Sequence, residues 1–329
     1  MTELILPAIG LVIGLFLLVK SSDYFIEGAA STAVHLNIAP LIIGVVVLGF
    51  GTSAPEIIVS ILASLDGSPG LAIGNVVGSN IANIGLVLGS AALIAPIAVK
   101  SSILKHELPL LLLISTASIL LIIDDDLDRM DGIILLITLV GTMYWMIKTN
   151  SNPLAKSDPM EQEIEQELNE IPKLTLRQSI TYLLLGLIVL MLSAKMMVWG
   201  AVEIAHFFGV SETIIGLTII AIGTSLPELA ASITAARKNE ADLMIGNILG
   251  SNLFNLLAVM AMPALIAPGK INDSILLLDY PIMLALTLVM LLVAIPRKNL
   301  AVITRVEGAI LVASYIAYLL FLYYRTVSA

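Results

Sequence analysis

GTSAPE at 51–56 and GNVVGSNIAN at 74–83 return, 172 residues further on, as GTSLPE at 223–228 and GNILGSNLFN at 246–255. Aligned without a gap, residues 51–96 and 223–268 agree at 22 of 46 positions. Each copy sets one acid, Glu56 or Glu228, in otherwise apolar sequence. A charge near the middle of a bilayer costs roughly 2.5–3.5 kcal/mol on insertion scales, so an acid kept there marks a functional site. Two acids at matching places in two copies point to one cation site where the repeats meet.

The setting is a membrane. The 329 residues are 58% hydrophobic and 12% charged, with a mean hydropathy of +1.03. That is far too little charge for a soluble chain of this length. The expected class is an all-α membrane protein, with the lipid bilayer as its main partner and no protein partner called for. The apolar start from Leu4 to Val19 lacks a basic leader and reads as a first span rather than a cleaved signal. Zero cysteines exclude disulfides and thiolate metal sites. The net charge of −9 lies mostly in 124–131 and 158–170 and gives no reason to expect nucleic acid.

Apolar runs of spanning length predict ten transmembrane helices, near 4–34, 40–64, 70–95, 104–123, 131–148, 177–206, 212–236, 242–267, 275–295 and 302–324. The repeat continues past the motifs, since Glu107 and Pro109 match Asp279 and Pro281. The expected organisation is a five-helix half over 1–148, an acidic loop over 149–176 and a second half over 177–329. Five is odd, so the second half enters the membrane inverted. With the N-terminus outside, the inner connections hold eleven Lys and Arg, among them Lys100, Arg177, Arg237, Lys238 and Arg305, against Arg129, Lys270 and Arg325 outside. The positive-inside rule then places both termini outside a cell membrane and the central loop in the cytoplasm.

Proline and glycine predict a broken helix in each half. Pro55 has no N–H to donate and crowds the carbonyl of Gly51, and Pro227 does the same to Gly223. The carbonyls near Gly49–Thr52 should leave the helical ladder and become hard oxygen ligands. Such irregular backbone at membrane depth is tolerated where it is buried in protein or lines a cavity. Thr52, Glu56 and Ser60 share one helical face, as do Thr224, Glu228 and Ser232. Asn75, Ser79 and Asn83 form a second polar stripe, repeated by Asn247, Ser251 and Asn255. An oxygen cage carrying two negative charges suits Ca²⁺ and can hold Na⁺. Three histidines, none in the motifs, make a soft transition metal a poor match.

A blander reading exists for each part alone. GxxxG-like spacing is more often helix packing, and a single glutamate could pair with Lys20 or Lys195. Repetition of the whole unit defeats it, because packing alone does not require the same polar set twice at the same spacing.

These motifs resemble the paired α-repeats of the cation/Ca²⁺ exchanger superfamily, in particular its prokaryotic Na⁺/Ca²⁺ exchanger branch. The resemblance covers essentially the whole chain and implies an antiporter, not an enzyme, that moves Ca²⁺ against Na⁺ without a cofactor. It implies that Glu56 and Glu228, with the carbonyls of Thr52 and Thr224, bind Ca²⁺. Ser53, Ser79, Ser225 and Ser251, with the carbonyls of Gly49 and Ala221, would help bind Na⁺ beside the same glutamates. Asn83 and Asn255 would line the centre. Some relatives carry Asp where this chain has Asn255, and K⁺-dependent members are associated with that acid. Proton-coupled relatives have Asn-Ala in place of Thr-Ser, so GTS in both copies favours Na⁺ over H⁺. The spans 4–34 and 177–206 would move against a core of 40–64, 70–95, 212–236 and 242–267.

Other acids earn less. Asp124, Asp125, Asp126, Asp128 and Asp131 lack EF-hand spacing and read as a solvated loop. The acidic stretch 158–170 reads as an exposed helix or disorder. His35, His106 and His206 fall near helix ends and read as interfacial groups. A channel or an intramembrane aspartyl protease fits less well than an exchanger, since both deep acids are glutamates beside prolines in paired inverted helices.

Overall fold

A computed structural model describes residues 2–100, 103–124, 126–150, 174–209, 221–271, 275–296 and 301–328. The first half contains α1 (Thr2–Leu36), α2 (Pro40–Thr52), α3 (Ala54–Leu65), α4 (Pro69–Ile94), α5 (Ile103–Leu121) and α6 (Arg129–Asn150). The second contains α7 (Leu176–Phe207), α8 (Ala221–Thr224), α9 (Leu226–Arg237), α10 (Ala241–Ile266), α11 (Ile275–Val293) and α12 (Arg305–Ser328). Among the described residues eight helices are long and apolar enough to span, and the bent pair α2–α3 supplies a ninth. The span expected at 212–236 starts outside the described residues and continues as α8 and α9. Most of the loop expected at 149–176, including all of 158–170, also lies outside them.

Local chemistry sets the helix starts. Thr175 and Gln178 form a reciprocal capping box at the head of α7. Thr304 and Glu307 exchange the same backbone and side-chain contacts before α12. Asp128 accepts from the amides of Met130 and Asp131 at 2.6 and 2.9 Å, so one member of the acidic 124–131 run serves as a cap for α6. The 4–34 span runs without interruption through Lys20, Asp23 and Glu27 to Leu36.

The two halves are related by an inverted repeat, visible in contacts that recur at the 172-residue offset. A Cβ placed on Gly28 would lie 2.4 Å from the amide nitrogen of Leu183, and one on Gly200 would lie 2.5 Å from the carbonyl oxygen of Pro7. α1 and α7 therefore touch backbone to backbone along a crossed, self-similar seam. π-helical turns repeat as well, at Asn83–Leu88 and Asn255–Val259, and again at Ile103–Glu107 and Ile275–Asp279. Such turns are uncommon and concentrate at functional sites.

The halves are interleaved rather than side by side. α12 packs on the end of α4, and α6 packs on the end of α10. Two short antiparallel pairs clip these crossings: β1 (Ile97–Ala98) with β4 (Val302–Ile303), and β2 (Asp126–Leu127) with β3 (Gly269–Lys270). α4 and α10 form the buried centre, while the outer faces of α1, α6 and α12 expose Leu6, Phe16, Ile137, Val140 and Leu320 to the surroundings. That pattern is the one lipid requires, apolar outside and polar only within.

One tether breaks the symmetry. The hydroxyls of Ser22 on α1 and Thr234 on α9 lie 2.7 Å apart, and the Lys238 ammonium donates to the Asp23 carbonyl at 3.1 Å and sits 3.7 Å from Glu27. The repeat-related partners of Ser22 and Thr234 are Ala194 and Leu62, which cannot make that bond.

Candidate cation site

The break comes at Ser53, one residue past the expected stretch. α2 and α3 bend by 41° there, and Ser53 has φ −83° and ψ 3°, outside the helical well. Ser225 repeats the conformation with φ −89° and ψ 6°. Pro55 and Pro227 thus sit in the first turn of a new helix, where a missing N–H costs nothing. The Gly49 carbonyl is not freed as expected. It accepts from the Ser53 amide at 3.2 Å, because the bend falls late enough for that last turn to close. Gly49 instead lets α2 approach α10: a Cβ there would lie 2.7 Å from the backbone of Gly250.

This close approach brings the motifs of opposite halves together. Thr52 donates to the Asn247 side-chain oxygen at 3.2 Å and lies 3.2 Å from the Ser251 hydroxyl. Ser53 donates to Glu228 Oε1 at 3.4 Å. Asn247 donates to the Glu228 carbonyl at 3.4 Å and to Ser232 at 3.0 Å. Glu56 and Glu228 are each 1% exposed and near enough to repel one another. Ser79, Asn83, Ser225 and Asn255 are buried as well. Thr224 is half-buried, and Ala221 opens α8. Ser60 donates to the Val259 carbonyl at 3.0 Å, which makes it a packing group rather than a site group.

The electrostatics are one-sided. Among the described residues neither glutamate has a basic partner, so the pairing with Lys20 or Lys195 considered for a lone acid does not occur. Glu56 Oε2, Glu228 Oε2, Asn83 Oδ1 and Asn255 Oδ1 are buried acceptors with no donor among the described residues. Buried acceptors ordinarily find donors. Four that do not, in two symmetry-related pairs, form an electron-rich enclosure suited to a hard cation. No cluster of three or more His, Cys, Asp or Glu exists among the described residues, so the remaining ligands would be neutral oxygens.

The motif reading missed Asn80 and Asn252. Asn80 accepts from Asn255 Nδ2 at 3.2 Å, and Asn252 accepts from Asn83 Nδ2 at 3.4 Å. Both stand in the repeated Gly-Ser-Asn triplets. The repeated triplet carries the signal, but a single helical stripe selects Ser79 and Asn83 and passes over the residue one position on.

Comparison with known proteins agrees with this architecture. The family described as sodium/calcium exchanger protein matches residues 6–148 and 178–324. The chain is 44% identical to a putative antiporter, CaxA, of Alkalimonas amylolytica, over 96% of this chain and 98% of that one. It is 29% identical to the sodium/calcium exchanger MaX1 of Methanosarcina acetivorans, over 95% and 97% of the two chains. The solved structure of the sodium-calcium exchanger NCX_Mj soaked with Na⁺ and Ca²⁺ superposes with a TM-score of 0.81 at 33% identity, covering 95% of this chain and 97% of that one. With its inverted repeat, its broken helices and its matched pair of buried acids, the chain belongs to the sodium/calcium exchanger protein family and is a multi-span membrane antiporter of the Ca²⁺ exchanger type.

Proposed function

We propose that the protein exchanges Na⁺ for Ca²⁺ across the cell membrane by alternating access to one central site. The observation that carries this reading is the set of four acceptor oxygens on Glu56, Glu228, Asn83 and Asn255 that have no donor among the described residues. Ca²⁺ neutralises both carboxylates at once and takes six to eight oxygens at about 2.3–2.6 Å, so Thr52 and Thr224 carbonyls complete its shell. Na⁺ uses the same glutamates with Ser53, Ser79, Ser225 and Ser251, with the Ala221 carbonyl, and with the second lone pair of the Gly49 carbonyl, whose first accepts from the Ser53 amide. Because the two ions share ligands, they compete, and competition for one site is what exchange requires.

Ion-free, the site holds two like charges out of water, an arrangement that resists closure. Binding either ion set removes the repulsion and permits the α1–α7 pair to shift against the core. The basic-residue count supports a cytoplasmic position for the end of α9, with the termini outside, and in that orientation the Ser22–Thr234 and Lys238 tether would hold the inner face closed. The Thr-Ser pair in both motifs and the amide at Asn255 support Na⁺ over H⁺ or added K⁺ as coupling ion. Ca²⁺ uptake into proteoliposomes, driven separately by Na⁺, K⁺ and H⁺ gradients, tests this. Uptake under the Na⁺ gradient alone is expected. Uptake under a proton gradient alone reassigns the coupling, and no uptake under any gradient overturns the reading.

A further inference from the structure

We infer that Asn80 and Asn252 are positioning residues that decide which end of the two central asparagines faces the cation. The inference rests on the cation-site reading above and adds to it the device that orients two of its oxygens.

An asparagine side chain has a donor end and an acceptor end of nearly the same size and shape. Packing alone cannot choose between them; hydrogen bonds must. Asn83 and Asn255 are each 1% exposed, so bulk solvent does not reach them to choose either. Their amide nitrogens are drawn away crosswise: Asn255 Nδ2 donates to Asn80 Oδ1 at 3.2 Å, and Asn83 Nδ2 donates to Asn252 Oδ1 at 3.4 Å. The two contacts are one contact repeated, since Asn83 and Asn255, like Asn80 and Asn252, are 172 residues apart. Asn80 is itself held, donating to the Asn252 carbonyl and to the Met283 sulfur, each at 3.5 Å. With both nitrogens committed, Asn83 Oδ1 and Asn255 Oδ1 are left without donors among the described residues. Turning either amide over would set two N–H groups where a cation needs an oxygen. Each helix of the α4–α10 pair therefore supplies the acceptor that orients the ligand carried by the other, with Asn80 itself anchored and Asn252 Nδ2 without an acceptor among the described residues.

The chemistry supplies a specific test. A carboxylate in place of the central amide presents oxygen at both ends and needs no orientation. Ca²⁺ affinity of the full-length protein in detergent is measured by titration calorimetry for Asn252→Ala and Asn80→Ala, each alone and with Asn83→Asp or Asn255→Asp. Losing a group that orients a metal ligand typically weakens affinity about 10- to 100-fold. Asn252→Ala should show that loss beside Asn83, and about twofold or less in the Asn83→Asp background, the scatter of independent sites. The rescue must follow the crossed pairing: Asn83→Asp rescues Asn252→Ala, Asn255→Asp rescues Asn80→Ala, and the other combinations do not. No loss in either alanine variant, equal loss in all backgrounds, or rescue by the wrong partner overturns the proposal. So does unfolding of both alanine variants, seen as a collapse of Ca²⁺-independent melting, which would assign the asparagines to packing alone. Absence of Ca²⁺ binding by the unmodified protein is a separate result that refutes the site itself.

Discussion

Replacing Glu228 with Gln separates a charge held for an ion from a charge held for the fold. Glu228 and Glu56 are each 1% exposed, lie near enough to repel one another, and have no basic partner among the described residues. With Ca²⁺ bound, removing one carboxylate from this buried set of opposite charges costs about 3–5 kcal/mol. At about 1.4 kcal/mol per tenfold, the Ca²⁺ dissociation constant should rise by roughly two to four orders of magnitude. The ion-free protein should respond in the opposite sense, because the substitution removes half of a repelling pair and keeps the shape. The assay is thermal melting of purified protein with and without Ca²⁺. At a Ca²⁺ concentration of about 100 dissociation constants the unmodified protein gains about 2.7 kcal/mol, whereas a variant weakened 100-fold or more gains about 0.4 kcal/mol or less. Glu228→Gln should thus melt higher without Ca²⁺ and hardly respond to it. A variant that keeps the full Ca²⁺ response, or one whose ion-free form melts lower, refutes the reasoning.

Three further expectations follow from particular contacts. The chain has no cysteine, so Ser22→Cys with Thr234→Cys introduces a single oxidisable pair where two hydroxyls now lie 2.7 Å apart. Oxidation should stop exchange while leaving Ca²⁺ binding intact, and full transport by the crosslinked protein would contradict the role given to the α1–α9 tether. Gly250→Ala should destabilise the protein by about 1–3 kcal/mol, the usual cost of overpacking, since its Cβ would lie 2.3 Å from the Val45 carbonyl oxygen. Gly70→Ala, with no atom within 4 Å among the described residues, should stay within about 0.5 kcal/mol in the same melting assay. In the α9–α10 turn, burial and then Asp242 hold the Glu240 carboxyl above the usual carboxylate range, against the pull of Lys238. The folded state therefore holds this proton more tightly than the unfolded state does. Stability from this group is present below the ordinary value near 4 and is lost as pH rises through the raised one. Glu240→Gln should raise the melting temperature at neutral pH but not at about pH 4, and an equal rise at both would sink the assignment.

Much of the molecule was legible in one dimension because a membrane leaves few options. With no water to satisfy backbone groups, long apolar runs must be helices, and the 172-residue repeat of an odd number of spans must invert. Glu56 and Glu228 announced the site by their cost, and Pro55 and Pro227 announced the breaks beside it. The position of the break was harder, since proline removes one hydrogen bond but packing decides which residue absorbs the bend; Ser53 does so, and the Gly49 carbonyl stays in its ladder. Three-dimensional packing alone decided that α6 and α12 cross over to the opposite halves, that Ser22 meets Thr234, and that Asn80 and Asn252 hold their crossed partners. Those contacts join residues more than 100 positions apart, and no periodicity along a helix encodes which face of a distant helix will oppose it. Sequence determined what each segment had to be in lipid, and tertiary structure decided which end of each buried polar group would be left facing the centre.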